Sequence, residues 1–249
     1  MEGARVLKNS QIIILGICIA SATVAASVIL SQGFLKVMKF TREQISVTGS
    51  ARQDIRSDLA IWRSSFSRRD AEPAAAYKKL KEDLAQVKKY LVSKGINEDS
   101  IQVYQVDTTT IYRKNEKGED TSDIQGYALN QQIAIKSEDV DKITRLSREA
   151  TELIDQGIKF SSGAPEYYYT KLDELKVEML AKATQNAKQR AENMTKATGN
   201  RIGFMRSAKM GVFQITPVNS TEVSDWGVND TSSLEKKVTS VVNVSFAIE

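Results

Sequence analysis

Along the chain, hydrophobic and polar positions first form a charge-free run from Asn9 to Leu35, nearly all apolar or small between Ile12 and Leu30. No polar face breaks that run at helical spacing, so it does not read as a helix of a soluble core. As a helix, Ile12 to Leu30 is about 28 Å long, close to the ~30 Å of hydrocarbon in a bilayer. The expectation is a transmembrane signal anchor over 12–35. A short tail over 1–11 precedes it, carrying Arg5 and Lys8. A juxtamembrane linker over 36–42 follows, where Lys36, Lys39 and Arg42 reach toward the interface. A cleaved signal peptide is the competing reading, with Ala20-Ser21-Ala22 as its cleavage site. The apolar run exceeds the usual 7 to 15 residues of such a peptide, which favours an uncleaved anchor.

Beyond residue 42 the pattern alternates between periods of two and 3.6. Glu43 to Ser50 sets Ile45, Val47 and Gly49 against Gln44, Ser46 and Thr48, a half-buried strand. Leu59 to Phe66 reads as a second strand. Pro73 then opens a helix whose stripe is Tyr77, Leu80, Leu84, Val87 and Leu91, stopped at Gly95. Ile101 to Tyr112 and Ile124 to Lys136 form a long hairpin around the charged tip 114–120. Ser137 is the expected N-cap of a second helix, with Val140, Ile143, Leu146, Ala150 and Leu153 inside and Gly157 as its end. A short strand and a third helix, Tyr169 to Lys196, lead to strand regions at Ile202 to Thr216 and Val238 to Ile248. Helices packed on one face of a largely antiparallel sheet, an α+β fold over 43–249, satisfy this order. The hairpin breaks the strict alternation that a doubly wound sheet needs.

Composition removes several chemistries. The 249 residues contain no histidine, and the one cysteine, Cys18, lies in the apolar run. Triads with histidine, histidine- or cysteine-based zinc sites and internal disulfides are therefore excluded. Net charge is +4 but the signs are interleaved, whereas a nucleic-acid binder gathers its basic residues into a patch. Arg63, Arg68 and Arg69 come nearest to one and read as a solvated strand edge. No cofactor, metal or nucleic-acid partner is expected, and no catalytic residue stands out. Gly199, Gly203 and Gly211 do not make a dinucleotide fingerprint.

The stretches that carry a resemblance are Ile45-Ser46-Val47-Thr48-Gly49-Ser50-Ala51 with Asp54 and Asp58, Lys94-Gly95-Ile96, and Gly126-Tyr127-Ala128-Leu129-Asn130. Asp155-Gln156-Gly157-Ile158, the alanine-rich helix ending at Gly199, Gly211-Val212-Phe213-Gln214-Ile215-Thr216-Pro217 and Val242-Asn243-Val244-Ser245-Phe246 complete the set. In order and spacing, residues 43–249 resemble a SIMPL-domain protein of the bacterial periplasmic and outer-membrane antigen type. That resemblance implies an exported α+β domain, no agreed catalytic residues, and ring-like homo-oligomers in some relatives. It departs from relatives whose leader is cleaved. Positive charge after the apolar run points the domain to the cytoplasm, but that rule loses force for long domains. The expected placement is therefore a cytoplasmic N-terminus with the domain periplasmic or extracytoplasmic.

Two stretches are candidate contacts with a second copy or another envelope partner. One is the loop Pro217 to Ser233, long for a structureless connection, with Trp226 beside Asp225. Alternatively, Trp226 folds back and pins its own loop. Glu222, Asp225 and Asp230 do not follow calcium-loop spacing. The other is Tyr167-Tyr168-Tyr169: consecutive side chains cannot all face one core, although packing at the helix entry accounts for them as well. The functional expectation is a non-enzymatic, membrane-tethered ring or cage of identical chains. The alternative is a binding module that captures a small ligand or partner without a large assembly.

Overall fold

The structure, a computed structural model, describes the backbone of residues 2–249 and the side chains of 14–35 and 43–249. Arg5, Lys8, Ile12, Lys36, Lys39 and Arg42, to which the sequence assigns places in the tail, anchor and linker, lie outside the described side chains. Among the described residues the α-helices are α1 (Glu2–Arg42), α2 (Pro73–Ser93), α3 (Val140–Glu149) and α4 (Leu172–Lys196). The strands are β1 (Gln44–Arg56), β2 (Leu59–Asp70), β3 (Ile101–Lys114), β4 (Asp120–Ser137), β5 (Lys159–Ser162), β6 (Glu166–Tyr168), β7 (Ile202–Met210), β8 (Gln214–Pro217), β9 (Val228–Asn229) and β10 (Glu235–Ile248). The α+β class holds, with two five-stranded sheets among the described residues rather than a single one. The chain divides into two compact units, 1–50 with 180–211 and 241–249, and 51–179 with 212–240, so each unit draws on parts of β1, α4 and β10.

In the first unit, α1 carries the apolar run. Its segment Ile14–Leu35 is long and apolar enough to cross a membrane and none of it is buried against the protein. The hydroxyls of Ser21, Thr23 and Ser27 inside it are satisfied by the helix's own carbonyls. Ser21 donates to the Ile17 carbonyl at 2.6 Å and Ser27 to that of Thr23 at 2.7 Å, as a helix in hydrocarbon requires. The helix backbone continues through 36–42, the stretch expected to be a linker.

The remainder of this unit is built on a close approach of β1 to α4. Ala183, Ala187 and Ala191 are fully buried. A Cβ on Gly49 would stand 2.6 Å from that of Ala187, so only glycine fits there. Ser50 N–H donates to Asn186 Oδ1 at 3.1 Å and Arg190 donates to the Thr48 carbonyl at 3.0 Å. On the other side of β1, Thr48 hydrogen-bonds Asn243 of β10 at 2.6 Å. β7 pairs antiparallel with β10, Val242 opposite Met210 and Ser245 opposite Ser207.

In the second unit, β3, β4, β2 and β5 lie side by side, with β6 also on β2. Alternation places Ala60, Trp62, Ser64 and Phe66 of β2 inward, opposite the inward residues of β4. Leu80, Val87 and Leu91 of α2 and Ile143 and Leu146 of α3 close this core. Trp62 satisfies its indole N–H on the Gly163 carbonyl at 3.0 Å.

Several local expectations change. Ser137 does not cap α3, because it still pairs with Ala60 as the last residue of β4. The cap is Asp139, which accepts from Lys142 N–H at 2.9 Å. Nor is β2 a solvated edge: β4 flanks it on one side, β5 and β6 on the other. Two of its three arginines are engaged in ion pairs, Arg63 with Glu166 at 2.8 Å and Arg68 with Asp83 at 2.5 Å. The region 202–216 is two strands, with Gly211 to Phe213 between β7 and β8.

Candidate functional site

The segment after β8, expected to be structureless, is pinned from below along its length. Gln214 is buried, and its amide group does what a strand partner would do. Nε2 donates to the Ser224 carbonyl at 2.7 Å and Oε1 accepts from Ser224 N–H at 3.3 Å. Asp230 N–H donates to the Ile215 carbonyl at 2.9 Å, and β9 runs parallel to β8 with Gln214 opposite Val228. Lys237 Nζ donates to the Val218 carbonyl and Lys236 Nζ to that of Asp230. Gly227 turns the chain at φ 87°, where a Cβ would meet the Phe213 carbonyl at 2.9 Å.

This fixed loop presents Trp226 with 94% of its surface exposed, beside exposed Asp225 and Val223. The tryptophan therefore does not pin its own loop. The two tyrosine candidates sit differently. Tyr167 is buried in the core of β2, α2 and α3, sharing a 2.8 Å hydrogen bond with Thr144, and is not a surface contact. Tyr168 is half-buried and donates its hydroxyl to Glu166 at 2.7 Å. Packing at the helix entry accounts for both. Glu222, Asp225 and Asp230 are not gathered into a metal-binding cluster among the described residues. Asp230 instead accepts from the N–H and hydroxyl of Ser232 at 2.8 and 2.7 Å.

Two hollows lie under the loop. The smaller, about 70 Å³, is walled by Tyr167 to Tyr169, Leu172, Ile215 and the buried pair Lys236 and Asp230. Burial pushes the Lys236 ammonium below its usual pKa, against the pull of Asp230. The larger, about 230 Å³, is polar. Its floor is Arg52, Thr216, Lys237 and Thr239, and 220–223 form its wall. Lys237 stands opposite Thr216 and Thr239 opposite Gln214 across the β8–β10 ladder, which puts all four on one face. Ile215 and Val238, on the opposite face, enter a core with Ile55, Leu175 and Met179.

None of Arg52, Gln214, Thr216 or Lys237 was singled out as a site residue from sequence. Alternation places the polar members of β8 outward, and their burial comes from the loop folding back over them. Lys236 carried a readable signal, because it stands two residues before the inward Val238.

Acid should loosen this region. The Tyr168 hydroxyl, then Arg63, hold the Glu166 carboxyl below the ordinary range. For Asp230, burial pushes the carboxyl up, but hydrogen bonds from Ser232 and the charge of Lys236 outweigh it. A carboxylate depressed in the folded state contributes stability above its unfolded pKa of about 4 and loses it as pH falls through the folded value. Denaturation midpoints should thus hold between pH 7 and 5 and fall below about pH 4. Glu166→Gln should flatten part of that fall. An identical profile in Glu166→Gln and Asp230→Asn would refute the assignment.

No curated protein matches the chain. Among solved structures, a de novo designed protein, Foldit4, is similar at 17% identity over 45% of this chain and 94% of its own, with a TM-score of 0.20. An unknown protein from Galdieria sulphuraria is similar at 10% identity over 76% of this chain and 83% of its own, with a TM-score of 0.21. Superpositions that loose carry no argument about fold or role. The sequence itself is decisive, since the family model "SIMPL: Protein of unknown function (DUF541)" matches residues 45–246. That span takes in both sheets and α2 to α4, and the chain belongs to the SIMPL family.

Proposed function

We propose that this SIMPL chain is a non-catalytic, membrane-anchored protein whose domain lies outside the cytoplasm and assembles with copies of itself into a ring or cage. The observation that carries the reading is Trp226, 94% exposed on a loop that five side-chain and backbone ties hold in place. A large aromatic kept wet on a tied-down loop is the residue type that dominates contact energies once covered. Anchoring supports the same reading. Copies held in one bilayer by Ile14–Leu35 meet at raised effective concentration, so individually weak contacts add.

The test is the mass of detergent-purified full-length protein, with Trp226→Ser beside it. The expected result is a discrete oligomer for the parent and a shift toward monomer for the variant. Trp226→Ser should melt within about 0.5 kcal/mol of the parent, since the side chain touches little in the folded chain. A monomeric parent at micromolar concentration would rule the assembly out. Protease treatment of intact spheroplasts checks the side, and a fully protected domain would place it in the cytoplasm. The polar cleft beneath the loop favours a second reading, a module that binds a small ligand.

A further inference from the structure

We propose that the cleft between the β8–β10 face and the loop 220–223 is a binding site for a small oxyanion of the phosphate class. Its two cations point to the charge. The Arg52 guanidinium makes no ion pair among the described residues, and Lys237 spends one N–H on the Val218 carbonyl and keeps two. Thr216 is the more telling residue. Only 4% of it is exposed, and it lines the cleft. Its neighbour on the strand, Gln214, has its amide bonded twice. The Thr216 hydroxyl can donate one hydrogen to an occupant of the cleft.

The donor inventory sets the class of occupant. Guanidinium and ammonium groups only donate, and the hydroxyls of Thr216, Thr239, Ser220 and Thr221 can each turn a hydrogen inward. A planar carboxylate offers two oxygens to this set, whereas a tetrahedral phosphate offers oxygens in every direction the donors come from. The volume of about 230 Å³ leaves room for a small ester group beside the phosphate. Glu222 shares the wall and opposes the ligand charge, which leaves one acidic group against two basic ones. This site stands whether or not the chains assemble.

The experiment is calorimetric titration of the full-length protein in a nonionic detergent at constant ionic strength. The probes are inorganic phosphate, glycerol 3-phosphate and a short-chain phosphatidylglycerol. Saturable one-to-one binding of phosphate is expected. Arg52→Ala and Thr216→Val should each weaken it about tenfold, and Glu222→Gln should tighten it. Circular dichroism verifies that each variant is folded. Displacement of phosphate by glycerol 3-phosphate alone would assign a soluble ester as the source, and displacement by the phospholipid a headgroup. The absence of saturable binding, or binding that Arg52→Ala and Thr216→Val leave unchanged, overturns the proposal. Repeating the titration on Trp226→Ser separates it from self-assembly, because the cleft should bind equally well in that variant.

Discussion

Replacing Arg68 by methionine is expected to destabilise the protein by about 2–3 kcal/mol, less than the ~3–5 kcal/mol of a fully buried pair, because Arg68 is 31% exposed while Asp83 is buried. Asp83 lies on the inward face of α2 with its side chain only 2% exposed, between the buried Leu80 and Val87. Arg68 meets it with two parallel N–H bonds, Nε to Oδ2 at 2.5 Å and Nη2 to Oδ1 at 2.7 Å. The methionine keeps much of the stem's packing, so the loss reports the abandoned carboxylate rather than a cavity. The double variant Arg68→Met with Asp83→Leu should regain most of the stability, because removing both charges removes the desolvation problem. Urea denaturation measures both variants. If the single variant unfolds with the parent, or the double is no better than the single, the pair does not hold the helix to the sheet as described.

Gly49→Val is the second large effect, at about 3 kcal/mol, the upper end of ordinary overpacking. The neighbours of the missing side chain are unable to yield. One is the Ala187 Cβ at 2.6 Å, and another is the Ala183 carbonyl within the backbone of α4. Trimming Ala187 to glycine should therefore recover only part of the loss. The helix would otherwise have to move off β1, breaking the Ser50–Asn186 and Arg190–Thr48 bonds at 3.1 and 3.0 Å. Thermal melting of Gly49→Val and of its Ala187→Gly double reads this directly, and a variant melting with the parent would mean that the contact is looser than the geometry states.

Much of this architecture is legible in the residues because it arises from local periodicity. The apolar run, the α2 stripe ending before Gly95 and the alternation of β10 depend on neighbours in sequence, and each element lies where its pattern puts it. Asp83 was legible in principle, since it falls three residues after Leu80 on the apolar stripe, where an isolated carboxylate demands a partner. What supplies that partner, Arg68 fifteen residues earlier, is a tertiary fact. Ser137 shows the limit of local rules, because pairing with Ala60 outcompetes a good cap sequence. The polar cleft was the least legible feature. Gln214 and Thr216 look like solvent-facing strand residues until a loop with a two-residue strand, far too short to announce itself, folds over them.

The double bond between Gln214 and Ser224 also has a kinetic meaning. A surface loop free to wander must find one shape among many each time a partner arrives, and that search slows association and weakens the complex. Here the loop backbone is set when the chain folds, so in the proposed assembly the tryptophan two residues beyond Ser224 would be offered without that search. Gln214→Ala would leave every atom of Trp226 in place yet return the loop to its search. If Trp226 makes the proposed subunit contact, the signature would be slower assembly at an unchanged contact surface.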